Sequence, residues 1–300
     1  MKTPLRYIAT CLLMLTVLAG CSKKELYTHE ELYKSSTSLK IDRSGGSPTA
    51  STVRMRVWSA DEAVDTTFIM DAGATVRLEL EEREYTFVGT QDAAHIRFDG
   101  EYFRLEQDAD GLFLEPEDFS AGIGTFVPAA QQENSYTLRL LPFTRELALR
   151  FSLSCEADWR IASIHARLSG MASARRLHDH ATTSGAGGTI ELPIERESAS
   201  VTRAGNERVF YSGVRNLLGI HTAQQQLLTL NLRYTNGEEE TLQQDLTPYL
   251  RDFNDYASGP VEALTLNAEI TIAGQPGVSA VIGDWKQGTD SDLDATDEGE

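Results

Sequence analysis

Residues 146–154 read Glu-Leu-Ala-Leu-Arg-Phe-Ser-Leu-Ser, with an apolar side chain at every second position. Successive side chains of a β-strand point to opposite faces, so this period of two places Leu147, Leu149, Phe151 and Leu153 together on one face. An amphipathic α-helix repeats its apolar residues at intervals of three and four instead. The stretch therefore predicts a half-buried strand and indicates a β protein.

The same alternation recurs along most of the chain. It is found in residues 53–57, 76–80, 85–87, 136–140, 162–168, 228–234 and 264–272. Asn236-Gly237 is typical of a hairpin turn, because both residues tolerate the positive φ angles that such turns need. One short helix is expected near residues 247–256, with Thr247 as its N-cap and Pro248 at its first position. We therefore expect an all-β chain built from antiparallel β-sandwiches.

The alternating pattern is interrupted near residues 143–147. This interruption predicts two β domains, residues 38–144 and residues 145–286, each long enough to bury its own core. Residues 287–300 hold six acidic residues and no basic one, and we expect them to form a disordered acidic tail.

The first 20 residues have the three parts of a secretory signal peptide. Lys2 and Arg6 precede an apolar run over residues 8–18, and small residues follow it. The run is too short to remain as a membrane-spanning helix. Residues 1–20 are therefore interpreted as a signal peptide that is removed on export.

The segment Leu18-Ala19-Gly20-Cys21 resembles the lipobox of bacterial lipoproteins. That resemblance implies cleavage before Cys21 and acylation of its thiol and of its new amino group. Several acyl chains give stable anchoring, whereas a single chain binds a membrane only weakly. Residues 21–37 then form a lipidated polar spacer. An ordinary secreted protein with a cysteine near its cleavage site is the alternative.

The net charge narrows the classes of partner, and the cysteine count shows whether a disulfide can form within the chain. The chain holds 27 basic and 45 acidic residues, a formal net charge of −18, which argues against nucleic acid and anionic lipid as partners. Cys11 belongs to the signal peptide and Cys21 is the predicted lipid site, so only Cys155 remains and no disulfide is expected within the chain. We expect Cys155 to be a buried, inert thiol.

Two short segments contain residue types that can bind metals. Histidines two apart on a strand point the same way, so His178 and His180 could share a metal. The surrounding Gly, Ser and Thr residues favour an exposed polar loop instead. Asp108-Ala109-Asp110-Gly111 resembles the start of a calcium loop but lacks its later ligands, so it predicts a turn.

Neither a nucleophile turn, nor a phosphate loop, nor a His-Glu-x-x-His motif occurs in the sequence. We therefore predict no catalytic residue, no cofactor and no metal, and a protein that is not an enzyme. A sugar-binding platform would need exposed aromatic side chains. Trp58 is the best candidate because it lies opposite Val57, whereas Trp159 and Trp285 are expected in the core.

Several segments of the second half, taken with the lipobox, resemble the fimbrillin-associated anchor lipoproteins of Bacteroides-type bacteria and their fimbrial superfamily. The resemblance is carried by residues 146–154, 161–172, 245–247 and 281–285. It implies two tandem transthyretin-like sandwiches on the outer membrane at the cell surface. It also implies fimbrial subunits as partners, bound by strand exchange after a trypsin-like protease cuts behind an arginine.

Arg43 is the candidate cleavage site. Leu39 and Ile41 are expected to face inward on a first strand, and Arg43 precedes a flexible Ser-Gly-Gly-Ser segment. A cut chain would behave as a polymerising subunit, and an uncut chain as a membrane-bound anchor. We favour the uncut chain, in which Arg43 is an exposed loop residue.

Two functions follow from the sequence. The first is a non-enzymatic, lipid-anchored fimbrial anchor or accessory subunit that holds or assembles surface fimbriae through β-strand pairing. The alternative is a surface lipoprotein, similar to an adhesin, that binds glycans or host proteins.

Overall fold

The computed structural model describes residues 34–44, 52–71, 73–182, 187–197, 200–201, 207–255, 262–272 and 280–288. Within these ranges the chain forms 22 strands and two helices of four residues each, which confirms the all-β prediction. Neither helix in this part of the chain has the length or apolar character needed to cross a bilayer.

The strands of the first half run from β1 to β10. Their bounds are β1 Lys34–Asp42, β2 Thr52–Ser59, β3 Asp65–Asp71, β4 Thr75–Glu81, β5 Tyr85–Thr90, β6 Ile96–Phe98, β7 Tyr102–Leu105, β8 Ser120–Phe126, β9 Glu133–Arg139 and β10 Leu141–Pro142. Eight of them form a three-stranded sheet of order β4-β1-β9 and a five-stranded sheet of order β10-β8-β5-β2-β3, whereas β6 and β7 belong to a separate small sheet. Apolar side chains from both sheets, among them Leu39, Met55, Phe87 and Leu138, share one buried core, as in a β-sandwich.

The second half has the same plan with longer strands. Its elements are β11 Arg145–Ser154, α1 Cys155–Asp158, β12 Ile161–Met171, β13 Ala174–Arg176, β14 Gly188–Pro193, β15 Glu195–Arg196, β16 Ser200–Val201, β17 Glu207–Leu217, β18 Leu227–Tyr234, β19 Glu239–Asp245, α2 Thr247–Leu250, β20 Leu264–Thr271, β21 Val281–Ile282 and β22 Lys286–Gln287. The larger sheet has the order β15-β17-β11-β20-β21, with β16 and β22 attached, and the smaller sheet has the order β14-β12-β18-β19. Leu147, Leu149, Phe151 and Leu153 of β11 are fully buried in the core between them.

Not every strand pair is antiparallel, which corrects the sequence-based expectation. Strand β1 pairs parallel with β9, and β11 pairs parallel with β20. Each of these strands also has an antiparallel partner on its other side, β4 for β1 and β17 for β11. The two sandwiches therefore place their first strands in equivalent positions, although no sequence repeat connects them.

A third cluster joins the two halves. Strand β7 pairs with β13 across the predicted boundary at residue 144, and with β6 on its other side. Phe103, Phe119 and Phe143 pack there with ring centroids 4.8–5.6 Å apart, and Leu177 and Leu218 join them. We call these residues the junction cluster. The division into domains at residue 144 stays a prediction.

Several boundaries differ from the sequence-based expectation. Strand β1 begins at Lys34, so residues 34–37 belong to the fold and not to the spacer. Gln287, assigned to the tail, pairs with Leu266 of β20, while residues 289–300 lie outside the described part of the chain. The expected end of the predicted helix, at Tyr256, lies outside it as well.

The helix predictions were wrong in detail. Helix α1 was not predicted at all, and α2 has Leu246 as its N-cap without a side-chain bond. The hydroxyl of Thr247 instead accepts a hydrogen bond of 2.9 Å from the backbone N–H of Gln226. The capping role fails because the hydroxyl joins α2 to the segment before β18.

Candidate functional site

Strand β1 lies between two partners rather than at the edge of its sheet. It pairs antiparallel with β4 over residues 34–40 and parallel with β9 over residues 36–42. The backbone of β1 is therefore hydrogen-bonded on both sides. Removal of β1 would leave the facing edges of β4 and β9 without partners.

The inner face of β1 is only partly apolar. Leu39 is completely buried in the core of the first sandwich, and Ile41 packs against that core, as the alternation predicted. Ser35 and Thr37 are also buried, with their hydroxyl oxygens 3.2 Å apart, and Ser35 donates to the carbonyl of Leu80. Leu39 therefore makes the main apolar contact between β1 and the core of the first sandwich.

Arg43 follows β1 directly and is half-buried, so its expected exposure was wrong. The residues on either side of Arg43 are held by hydrogen bonds. The N–H of Ser44 donates to Oδ1 of Asp42 at 2.8 Å, and the N–H of Leu140 donates to the Asp42 carbonyl at 2.8 Å. The hydrogen bonds from Ser44 hold the pKa of Asp42 below its ordinary value. The Gly-Gly segment that follows Ser44 lies outside the described residues.

Cys21 and the whole of residues 1–33 also lie outside the described part of the chain. Signal-peptide removal and lipidation at Cys21 therefore stay predictions. The side chain of Cys155 is not described either, so its burial is untested.

His178 and His180 lie in and directly after a turn that follows β13, and not on a strand. His178 and Asp179 are exposed, and Asp179 forms an ion pair with Arg176, which lowers the pKa of Asp179 to about 2. His180 packs on Phe143 of the junction cluster with ring centroids 4.5 Å apart. Burial, together with nearby Arg175, lowers the pKa of His180 to about 4. Among the described residues, no group of three His, Cys, Asp or Glu side chains is placed to hold a metal.

Arg175 is fully buried, and no pattern in the sequence indicates its role. Its guanidinium donates to the backbone carbonyls of His180, Phe143, Leu218 and Asn254 at 3.0–3.4 Å. It also lies 5.5 Å from the centre of the Phe143 ring. Arg175 therefore connects four separate segments at the junction of the two halves.

Asp108 forms a turn, as predicted. Its carboxylate accepts hydrogen bonds of 2.9 Å from the backbone N–H groups of Asp110 and Leu112. Gly111 has a φ of +79°, which a residue with a side chain rarely adopts. The Asp108 carboxylate is therefore hydrogen-bonded to the backbone of its own loop.

The three tryptophans lie in different environments. Trp58 is half-buried against the junction cluster, and the guanidinium of Arg56 lies 5.0 Å from the centre of its ring. Trp285 is 5% exposed and packs edge-on against Phe151, which confirms its place in the core. Trp159 is 71% exposed, so its predicted burial was wrong.

Trp159 borders a cleft of about 680 Å3 on the second sandwich. The cleft runs over the outer faces of β12 and β14, where His165 and Pro193 are exposed, and reaches Arg196 on β15. Asp158 accepts two hydrogen bonds from Arg196, at 2.7 and 3.1 Å, and one of 2.8 Å from the hydroxyl of Tyr211. Burial, and then its bond to Asp158, raise the pKa of Tyr211 to about 12.

A larger cleft, about 820 Å3, lies between the two halves. Its lining comes mainly from residues 112–118, with Glu191, Arg215 and Asn216 on the other side. Glu115 forms an ion pair with Arg215 and accepts a hydrogen bond of 3.0 Å from the backbone N–H of Asn216. These contacts hold the two halves together.

Neither a family model nor a curated protein sequence matches the chain. Solved structures do share its fold. A candidate adhesin of Bacteroides thetaiotaomicron matches with a TM-score of 0.59 and 14% identity, covering 85% of this chain and 96% of that one. The fimbrial anchor protein Mfa2 of Porphyromonas gingivalis matches with a TM-score of 0.55 and 11% identity, covering 85% of this chain and 97% of that one.

A candidate polysaccharide-binding protein of Bacteroides thetaiotaomicron matches with a TM-score of 0.52 and 11% identity, covering 85% of this chain and 99% of that one. At these identities the likeness establishes a common fold over most of the chain. Function is a separate inference, because one fold serves many functions.

Proposed function

We propose that this protein is a lipid-anchored anchor or accessory subunit of surface fimbriae, that it engages a fimbrial subunit through β-strand pairing, and that it is not an enzyme. The fold shared with the fimbrial anchor protein of Porphyromonas gingivalis supports the proposal. So does the resemblance of residues 18–21 to a lipobox, which implies a lipid anchor at Cys21, whereas residence on the outer membrane at the cell surface is what the fimbrial resemblance implies.

The observation that carries the proposal is the position of β1. Because β1 is central in its sheet, its departure would open a groove between β4 and β9 with backbone groups available on both sides. A strand from another subunit could fill this groove if it ran antiparallel to β4 and parallel to β9. Backbone hydrogen bonds would supply affinity, and an apolar side chain at the place of Leu39 would supply specificity.

The connection between Cys21 and β1 favours an anchor over a shaft subunit. The predicted lipid site and β1 both precede Arg43, so a cut after Arg43 would separate the lipid from the fold. In an uncut chain the lipid stays covalently joined to the fold, so β1, although hydrogen-bonded on both sides, could leave its place without releasing the protein from the membrane. We therefore propose that Arg43 stays uncut in the anchoring form.

A mass measurement on protein extracted from native outer membranes tests this form. The expected amino terminus is acylated Cys21, and substitution C21A should release the protein from the membrane. An amino terminus at Ser44 would contradict the permanent anchor. Deletion of the gene should remove surface fimbriae or change their length, whereas unchanged fimbriae would contradict the fimbrial role.

A further inference from the structure

We propose that the cleft beside Trp159 is a binding site for a neutral glycan. This inference goes beyond the fimbrial role and rests on a different part of the molecule, the second sandwich between β12, β14 and β15. Four observations support it: an exposed indole, a hydrogen-bonded polar network beside that indole, exposed donors and acceptors, and the charge and size of the cleft.

The exposure of Trp159 is the first observation. A tryptophan side chain gains from burial, so an indole 71% exposed at the border of a cleft has an unused apolar face. One face of a sugar ring consists of C–H groups with a slight positive charge. That face is complementary to the negative face of an aromatic ring, so a pyranose can stack on Trp159.

The second observation is that the residues beside Trp159 are fixed. Asp158 precedes it and is held by Arg196 and by the hydroxyl of Tyr211. The Asp158 side chain is only 13% exposed, so this network forms the wall of the cleft rather than a mobile surface pair. These bonds hold the carboxyl-terminal end of helix α1, from which Trp159 follows, and a site held in place before binding pays a lower entropic cost.

Sugar hydroxyl groups need both donors and acceptors. Arg196 is an exposed donor, Glu195 beside it is an exposed acceptor, and the exposed imidazole of His165 can do either. Hydrogen bonds to charged groups are stronger than those between neutral groups. Ala162 and Pro193, both exposed, add apolar surface to the same lining.

Charge and size select the ligand class. The cleft holds three carboxylates, from Asp158, Glu191 and Glu195, against the guanidinium groups of Arg196 and Arg215. This slight acidic excess disfavours uronic and sialic acids and favours neutral sugars. A volume of about 680 Å3 lies in the range of sites for small ligands, roughly 300–1,000 Å3, and suits a short oligosaccharide.

Calorimetric titration of the full processed chain tests the proposal. The probes are neutral hexasaccharides of glucose, mannose and xylose, with trigalacturonate as the anionic probe. At least one neutral hexasaccharide should bind, and W159A should weaken that binding by about tenfold or more. W159F keeps an aromatic face and should retain most of the affinity.

Ile69→Ala is the matched control, since Ile69 is 72% exposed on the first sandwich, away from the cleft. The affinity of the Ile69→Ala variant for the neutral hexasaccharide should equal that of the unmodified chain. Absence of binding to every neutral probe, equal affinity of W159A, or preference for trigalacturonate would each overturn the proposal. Fimbriae should persist in a W159A strain, so a failure of the glycan site and a failure of the fimbrial role can be told apart.

Discussion

At the scale of single residues, Arg175 shows how a buried charge can be accommodated. A guanidinium removed from water is costly unless its N–H groups are satisfied. Here backbone carbonyls from four segments accept its hydrogen bonds. The same bonds satisfy carbonyl groups that would otherwise lack donors, so the arginine stabilises the loops around it.

Substitution R175M should therefore destabilise the fold by about 2–4 kcal/mol, because methionine fills much of the volume but leaves the carbonyls without donors. Urea unfolding followed by tryptophan fluorescence measures the loss. Arg176 is the matched control: its ion pair with Asp179 is solvent-accessible, and R176M should have little effect. Equal losses in the two variants would show that the buried hydrogen bonds of Arg175 are unimportant.

His180 predicts a pH dependence with a definite sign. Its pKa falls from 6.5 to about 4 in the folded state, mainly because of burial. Between these two values the unfolded chain binds the proton more readily, so this contribution to stability is complete above about pH 6.5 and is lost as the pH falls towards 4. The variant H180N should flatten this part of the stability curve.

Asparagine suits the positive φ of 58° at position 180, so H180N tests the imidazole rather than the backbone. His178 is the exposed control, and H178N should leave the curve unchanged. Chemical denaturation at half-unit pH steps provides the measurement. A curve of unaltered slope in H180N would contradict the proposed origin of the effect.

At the scale of elements, the sequence predicted the long strands with alternating apolar residues and missed those without them. Strand β8 contains Gly122 and Gly124, which lower strand propensity. Its packing explains them: a Cβ at Gly122 would lie 2.4 Å from the carbonyl oxygen of Arg139, and one at Gly124 would lie 2.6 Å from the ring of Phe87. Such contacts are made by distant segments, so local sequence does not reveal them.

Irregular backbone explains the remaining differences. Alternation places Ala162 on the same face as Ile164, yet Ala162 is exposed because the register shifts between Ile161 and Ser163. The candidate sites divide in the same way. The inward position of Leu39 and the place of Arg43 after β1 could be predicted, because both depend on one strand and its end. The partial burial of Arg43 and the exposure of Trp159, which follows the unpredicted helix α1, could not.

Strand β1 should be replaceable by a peptide of its own sequence. A chain that starts at Ser44 lacks β1, so the peptide Lys34–Asp42 should raise its melting temperature by an amount that grows with the logarithm of peptide concentration. A peptide carrying Leu39→Asp should fail, because it would bury a charge. A peptide carrying Lys40→Asp changes an exposed position and should still act. Indistinguishable effects of all three peptides would exclude register-specific strand insertion.

At the scale of the whole molecule, the junction cluster decides whether the two sandwiches unfold together. Each half has a main core, although Phe113 of the first half packs into the core of the second. Phe143 lies in the junction cluster, in contact with Phe103, Phe119 and His180. Because strands β7 and β13 also pair across this region, we expect the unmodified chain to unfold in a single calorimetric transition.

Phe143→Ala should separate that transition into two, at a cost of about 3–5 kcal/mol in coupled stability, because it leaves a cavity in the contact between the halves. Phe253→Ala is the matched control: it creates a similar cavity inside the second core alone and should lower the melting temperature without separating the halves. If F143A still unfolded in one transition, the halves would form one cooperative unit through contacts other than the junction cluster. Two separate transitions would support the predicted boundary near residue 144, and an anchor could then lose its first strand while the second sandwich stayed folded.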